Sequence, residues 1–87
     1  MSKLNNETFL GVQQVLAKHA ELQKNAMALT PDDDLFAAGM SSRATVGVML
    51  ALESQFDIEF PDNMLRRDIF ESMRSISTAV QTLLTNS

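Results

Sequence analysis

The chain has 87 residues, enough for one domain with a modest core and too few to enclose a deep catalytic pocket, so we expect one non-enzymatic domain over residues 1–87. It has no cysteine, which excludes disulfides, thiolate metal sites and cysteine nucleophiles. The formal net charge is −4, and residues 25–62 carry one arginine against seven acids. This acidic middle argues against a nucleic-acid ligand and favours a partner with a basic surface.

The N-terminal segment predicts an amphipathic helix over about residues 6–23. Asn5 or Asn6 can cap it by accepting a backbone hydrogen bond. Apolar residues then recur at helical spacing, namely Phe9, Val12, Val15, Leu16 and Ala20. After Lys3 come Asn5, Asn6 and Glu7 rather than the apolar segment of a secretory signal, so we expect a cytoplasmic protein. The single histidine, His19, has no second histidine and no cluster of metal ligands beside it in the sequence, and no metal site is expected.

Residues 24–38 show no sustained period and predict a connection between helices. Thr30-Pro31 marks a turn, and three consecutive Asp residues at 32–34 precede Leu35 and Phe36. A calcium loop needs alternating oxygen ligands with a Gly at its sixth place and a Glu at its twelfth, which this run lacks. We therefore expect solvated, capping acids and an apolar pair that enters the core.

The stretch from Gly39 to Phe56 predicts a central helix over residues 42–56, which Ser41 or Ser42 can cap. Its core stripe is expected to contain Thr45, Val48, Met49, Leu52 and Phe56. Val46 and Leu50 lie off that stripe, so this flank is either a wide core stripe or a strip for docking a partner. Because the longest apolar run covers only residues 46–52, we expect no membrane span.

Beyond the central helix, apolar residues alternate as far as Pro61. A lone strand has no ladder, so we predict an extended crossover with Phe56, Ile58 and Phe60 pointing inward. A short helix over about 64–70 and a last helix over about 73–84, capped by Ser72, complete the chain. The buried face of the last helix is expected to contain Met73, Ile76, Ala79, Val80, Leu83 and Leu84. The fold class predicted is all-α, a small four-helix bundle.

The sequence resembles the acyl carrier proteins over nearly its whole length. Three segments carry this resemblance: Gly39-Met40-Ser41-Ser42-Arg43, then Met49-Leu50-Ala51-Leu52-Glu53, then Phe56-Asp57-Ile58-Glu59-Phe60-Pro61-Asp62. In that family Gly-x-Asp-Ser-Leu opens the second helix, and a Phe-rich crossover follows it. The resemblance implies the acyl-carrier type of four-helix bundle. By register it also implies that Ser42 carries 4′-phosphopantetheine, which a phosphopantetheinyl transferase takes from coenzyme A.

Two departures from the family pattern bear on the cargo. Ser41 stands where the family usually has Asp, and Arg43 stands where it usually has Leu. The flank formed by Arg43, Ala44, Gly47 and Gln55, predicted to be exposed, is poor in acids, unlike that of fatty-acid carriers. The chain more closely resembles small bacterial carriers loaded by amino acid:carrier-protein ligases. That likeness implies glycine or alanine held as a thioester.

Two other functions remain open from the sequence, a dedicated fatty-acyl or polyketide carrier and an unmodified interaction module. The partners expected are the transferase, the ligase or another loading enzyme, and a downstream acyl-transfer enzyme, with the carrier itself a monomer. The residues expected to contact partners are Met40, Ser41, Arg43, Val46, Gly47, Leu50, Met64, Arg66 and Arg67. No catalytic residue and no metal ligand are assigned.

Overall fold

The structure, a computed structural model, describes residues 6–22 and 28–85. Its helices are α1 (Asn6–His19), α2 (Ser42–Phe56), α3 (Arg67–Phe70) and α4 (Met73–Thr85), with a 3-10 turn at Asp62–Met64. These two ranges contain no strand, which confirms the predicted all-α class. None of the helices in the described ranges has the length and apolar character needed to cross a membrane.

The core lies where α1 packs against α2 and α4. Its fully buried side chains are Val12, Leu16, Leu35, Val48, Leu52, Met73, Ile76 and Val80. Gly11 explains how closely α1 approaches α2, because a Cβ at this position would lie 2.6 Å from Cζ of Phe56. A glycine inside a helix costs about 1 kcal/mol relative to alanine, and here it makes room for an aromatic ring.

The first helix is shorter than the sequence predicts. It ends at His19 rather than near residue 23, although Ala20 N still donates a hydrogen bond to Leu16 O at 3.1 Å. Glu21 has a positive φ of 56°, in the left-handed region, and this conformation ends the helix. The other end of the prediction, with a possible cap at Asn5, lies outside the described residues.

Two of the three acids at 32–34 cap turns, as predicted, while Asp32 forms an ion pair with Arg74. Thr30 N donates to Asp33 Oδ2 at 2.9 Å, and Phe36 N donates to Asp34 Oδ1 at 2.9 Å. Leu35 is fully buried and Phe36 is half-buried. The apolar pair is thereby fixed directly before the segment that leads into α2.

The crossover after α2 is held by one glutamate. Asp57 takes a left-handed conformation with φ 55°, and Ile58 N donates back to Glu53 O at 3.1 Å. The Glu53 side chain accepts a hydrogen bond from Phe60 N at 2.9 Å. Phe60 is buried against Phe70, with ring centroids 5.4 Å apart, so the predicted inward direction of this residue is confirmed.

The prediction of a continuous helix over 64–70 is wrong. The 3-10 turn ends at Met64, and Leu65 and Arg66 have non-helical backbones, with ψ of 64° and 153°. The helix α3 therefore begins only at Arg67. Leu65 is 46% exposed, so continuing the helix through it would not be driven by burial of its side chain.

The last helix matches its prediction within one residue. Ser72 caps it, since Ser75 N donates to Ser72 Oγ at 3.0 Å. Met73, Ile76, Ala79 and Val80 are buried, and Leu83 and Leu84 are half-buried. Ser77 is also buried, and its hydroxyl has no hydrogen-bond partner within the described ranges.

Candidate functional site

The N-terminus of α2 is capped by Ser41. This residue has an extended backbone, with φ −84° and ψ 167°, and its side chain accepts a hydrogen bond from Ala44 N at 3.0 Å. Its carbonyl oxygen accepts from both Thr45 N at 2.9 Å and Thr45 Oγ1 at 2.8 Å. The Ser41 side chain is thus engaged in starting the helix.

Ser42 is the first residue of α2 and is exposed. Among the residues that the structure describes, its hydroxyl makes no hydrogen bond, and the backbone N–H groups of Ser42 and Arg43 donate none. Free N–H groups at a helix N-terminus carry partial positive charge and favour an anionic group beside them. Of the two adjacent serines, Ser42 therefore has the hydroxyl that is available for chemistry, next to a site suited to phosphate.

A groove of about 330 Å³ opens beside Ser42, between α2 and the segment that leads into α3. It is lined by Phe36, Ser42, Thr45, Val46, Met49, Leu65, Arg66, Arg67 and Phe70. The guanidinium carbon of Arg67 lies 4.0 Å from the centroid of the Phe36 ring, a cation–π contact. Arg66 Nε donates to Asp68 Oδ1 at 3.0 Å. The lining combines apolar side chains with two arginines, each of which is oriented by a neighbouring side chain. None of the lining residues is acidic.

The flank of α2 beside this groove is partly apolar and exposed. Val46 is 53% exposed and Leu50 is 55% exposed, whereas Val48 between them is fully buried. A Cβ built on Gly47 would meet no atom within 4 Å, so this position is open. Val46 and Leu50 are therefore not part of a wide core stripe.

Three sequence predictions about this region need correction. Ala44 was expected on the exposed flank, but it is 5% exposed. The fully packed row of α2 runs through Ala44, Val48 and Leu52, while Thr45 and Met49 are only half-buried beside the groove. Met40 was expected to contact partners, but it is 3% exposed and belongs to the core.

Leu65 was not among the residues predicted to contact partners, yet it is 46% exposed and lines the groove. Nothing in the predicted helix over 64–70 marked Leu65 as exposed, and the backbone break before α3 places it on the surface. Met64 is half-buried, and Arg43, Arg66 and Arg67 are exposed. Within the described ranges, no group of three His, Asp or Glu side chains lies close enough together to hold a metal ion.

Residues 11–83 match the protein family described as phosphopantetheine attachment site. The chain belongs to this family. It is 42% identical to the aminoacyl carrier protein of Agrobacterium fabrum over 73 residues, which are 84% of this chain and 88% of the relative. It is 32% identical to aminoacyl carrier protein 1 of Bradyrhizobium diazoefficiens over 65 residues, 72% of each chain.

The fold is similar to that of a chain in a crystal structure of two proteins. That structure contains an engineered Bradyrhizobium japonicum glycine:[carrier protein] ligase complexed with carrier protein from Agrobacterium tumefaciens and AMP. The TM-score is 0.81 at 41% sequence identity, over 84% of this chain and 97% of the other. The helical bundle is therefore that of the acyl-carrier-protein type.

The family's cofactor is 4′-phosphopantetheine, and the residues at the start of α2 fit this group. Forming a phosphodiester requires a hydroxyl that makes no hydrogen bond within the fold, and the exposed Ser42 side chain meets that requirement. The free N–H groups of the first turn are suited to its negative charge. The groove beside Ser42 has a largely apolar lining that would be available to the tether.

Proposed function

We propose that the chain is an aminoacyl carrier protein that bears 4′-phosphopantetheine on Ser42 and carries glycine or alanine as a thioester. The observation that carries the proposal is the free, exposed hydroxyl of Ser42 at the N-terminus of α2 in a phosphopantetheine attachment family. The names of both relatives support an aminoacyl cargo. The complex formed by the structural neighbour supports glycine and a carrier-protein ligase.

The attachment step joins Ser42 Oγ to the phosphorus of the pantetheine phosphate of coenzyme A. The P–O bond to the nucleotide half breaks, adenosine 3′,5′-bisphosphate leaves, and the serine proton passes to a base of the transferase. The bound group supplies a thiol on a flexible tether, a function that this cysteine-free chain cannot supply itself. The chain's own contribution is to present Ser42 Oγ and to stabilise the phosphodiester with the first-turn N–H groups.

In this proposal residues 1–87 form a single carrier domain that catalyses nothing and acts as a monomer in the cytoplasm, where coenzyme A and ATP are present. Its partners are the phosphopantetheinyl transferase, an amino acid:carrier-protein ligase and a downstream acyl-transfer enzyme. The residues that we propose contact them are Ser41, Arg43, Val46, Gly47, Leu50, Met64, Arg66 and Arg67. All eight are exposed or half-buried, and Val46, Arg66 and Arg67 line the groove beside Ser42. Met40 is left out because it is buried.

The attachment site is tested by intact mass after incubation with coenzyme A and a broad-specificity transferase. The wild-type chain and the Ser41→Ala variant are expected to gain the mass of one phosphopantetheinyl group, and Ser42→Ala is expected to gain none. Modification of Ser42→Ala, or no modification of the wild type, would refute the assignment.

The cargo is tested by supplying the modified protein with ATP, the ligase and either glycine or alanine. A thioester with one of these amino acids is expected, and it should be released by hydroxylamine. Malonyl transfer by a fatty-acid transacylase is the rival reaction. Efficient malonyl loading with no aminoacyl thioester would overturn the aminoacyl assignment and leave the carrier function in place.

A further inference from the structure

The surface beside Ser42 has a charge opposite to that of the whole chain. We define the docking surface by six residues: Arg43, Val46, Leu50, Leu65, Arg66 and Arg67. It contains three arginines, and the only acid paired with them in the described residues is Asp68, which binds Arg66. The chain as a whole carries −4.

The centre of the docking surface is apolar. Val46, Leu50 and Leu65 are 53%, 55% and 46% exposed, the three large apolar side chains left open on this side. Val46 and Leu50 are one turn apart on α2, and Val46 and Leu65 line the same groove. Burying such side chains against a partner is favourable, because it removes apolar surface from water.

The arginines flank this centre, and two of them are already oriented. Arg67 lies against the Phe36 ring, and Arg66 makes two hydrogen bonds to Asp68, at 3.0 and 3.2 Å. Arg43, three residues before Val46 on α2, makes no ion pair with any described residue. An oriented guanidinium loses less conformational entropy on binding and is suited to bidentate contact with a carboxylate.

Most of the acids in the acidic middle of the chain lie beyond α2 or already bind a group of the fold. Asp57 and Glu59 follow the C-terminal end of α2, a helix of 15 residues, whereas Asp62 lies in the 3-10 turn directly before Leu65. At 1.5 Å per residue the end of α2 at Phe56 is about 20 Å from Arg43, well beyond the screening length of about 8 Å at physiological salt. Glu53 accepts the Phe60 N–H, and Asp32 pairs with Arg74 of α4.

We propose that the docking surface binds a partner surface with an apolar centre flanked by carboxylates. This inference rests on the proposed function and names the chemistry of the enzyme face that the carrier recognises. The net negative charge of residues 25–62 led us to expect a partner with a basic surface, and this inference reverses that expectation. The partner would contact the arginines of the docking surface, so the local positive charge decides which partner surface fits. A partner with a basic face would place its cations against Arg43, Arg66 and Arg67 and be repelled.

The first test measures binding of the modified protein to the Bradyrhizobium japonicum glycine:[carrier protein] ligase at low and high salt. The Arg43→Gln/Arg67→Gln variant is expected to raise Kd about tenfold at low salt and to bind with a weaker salt dependence. Lys18→Gln is the matched control, since it removes one exposed positive charge on α1 and should change Kd less than twofold. Arg43→Glu should weaken binding further than Arg43→Gln.

Tighter binding by Arg43→Glu, or equal Kd values for the arginine variants and Lys18→Gln, would overturn the inference. Glycine loading of the wild type under saturating carrier would still support the proposed function in that case. Circular dichroism of each variant shows whether it is folded. If the double variant is not folded, Arg43→Gln alone is measured in its place. The Arg43 side chain has no partner in the described structure, so removing its charge should not disturb the fold.

The second test does not depend on the proposed function, because it uses the unmodified chain and two peptides. Both are amphipathic helices with the same leucine row, flanked by glutamates in one and by lysines in the other. The glutamate peptide is expected to shift the amide resonances of Arg43, Val46 and Leu50, and the lysine peptide to leave them in place. Equal or larger shifts with the lysine peptide, or shifts only outside the docking surface, would refute the proposed polarity.

Discussion

At the level of single residues, two adjacent serines have different roles at the start of α2. Ser41 Oγ accepts the Ala44 N–H, while Ser42 Oγ is exposed and has no partner in the described structure. The family pattern usually places Asp at the first of these positions. Serine and aspartate are both strong N-caps, so Ser41 preserves the helix start without the negative charge.

Replacing Ser41 by Ala is expected to lower the free energy of unfolding by about 1 kcal/mol, because the Ala44 N–H loses its acceptor. Urea unfolding followed by circular dichroism measures this change. Ser41→Asp is the matched control and should keep wild-type stability, since its carboxylate caps the same N–H group. If both variants lose the same stability, Ser41 does not act through its cap.

The positions that the sequence assigned wrongly in this region are small or flexible residues. Alanine contributes little to an apolar pattern, so Ala44 was placed on the flank, although its side chain is buried. Met40 precedes the helix and belongs to no periodic run, so only the fold shows that it is buried. Ser42, by contrast, was identified from its register in a family motif, and its exposure fits that role.

At the level of elements, α2 has a buried row and an exposed flank two residues apart. Replacing Val48 by Asp is expected to unfold the protein, because an unpaired buried charge costs several kcal/mol against a total stability of about 5–10 kcal/mol. Leu50→Asp should keep its helical circular dichroism, since Leu50 is 55% exposed, and should slow loading by the ligase. Equal unfolding of both variants would contradict the docking role of Leu50.

Helix existence was predictable from apolar spacing, and helix starts were predictable where a cap is visible in the sequence. Ser41 and Ser72 are such caps, and the starts of α2 and α4 match their predictions. The end of α1 depends on the left-handed backbone conformation of Glu21. The sequence does not indicate this conformation, because glycine and asparagine are the residues that usually adopt it. The break before α3 depends on the extended backbone of Arg66, next to its ion pair with Asp68.

At the level of the whole molecule, the connection before α2 is tied to the α3–α4 corner. Leu35 N donates to Glu71 O at 2.7 Å, and Arg74 N donates to Pro31 O at 3.0 Å. An ion pair adds a third link, with Arg74 Nε 2.8 Å from Asp32 Oδ1. These contacts join residues about 40 positions apart in the sequence and hold the segment that leads to Ser42. Sequence period carries no information about such pairings.

The ion pair predicts a small pH dependence of stability. The hydrogen bond from Arg74 lowers the pKa of Asp32 below its ordinary value, with the positive charge of Arg74 acting in the same direction. A carboxyl whose pKa is lower in the folded state stabilises the fold above its unfolded pKa, and this contribution is lost as pH falls through the folded pKa. Because both side chains are more than half exposed, the effect is modest.

Replacing Arg74 by Gln removes this link and keeps the backbone N–H that binds Pro31 O. The variant is expected to be less stable than the wild type at pH 7, and the difference should shrink as pH falls below the pKa of Asp32. Urea midpoints measured between pH 7 and pH 2.5 follow this change. Asp32→Asn should behave like Arg74→Gln, and combining the two should cause no further loss, since each removes the same pair. A constant difference across that pH range would show that Arg74 stabilises the fold through its packing and not through Asp32.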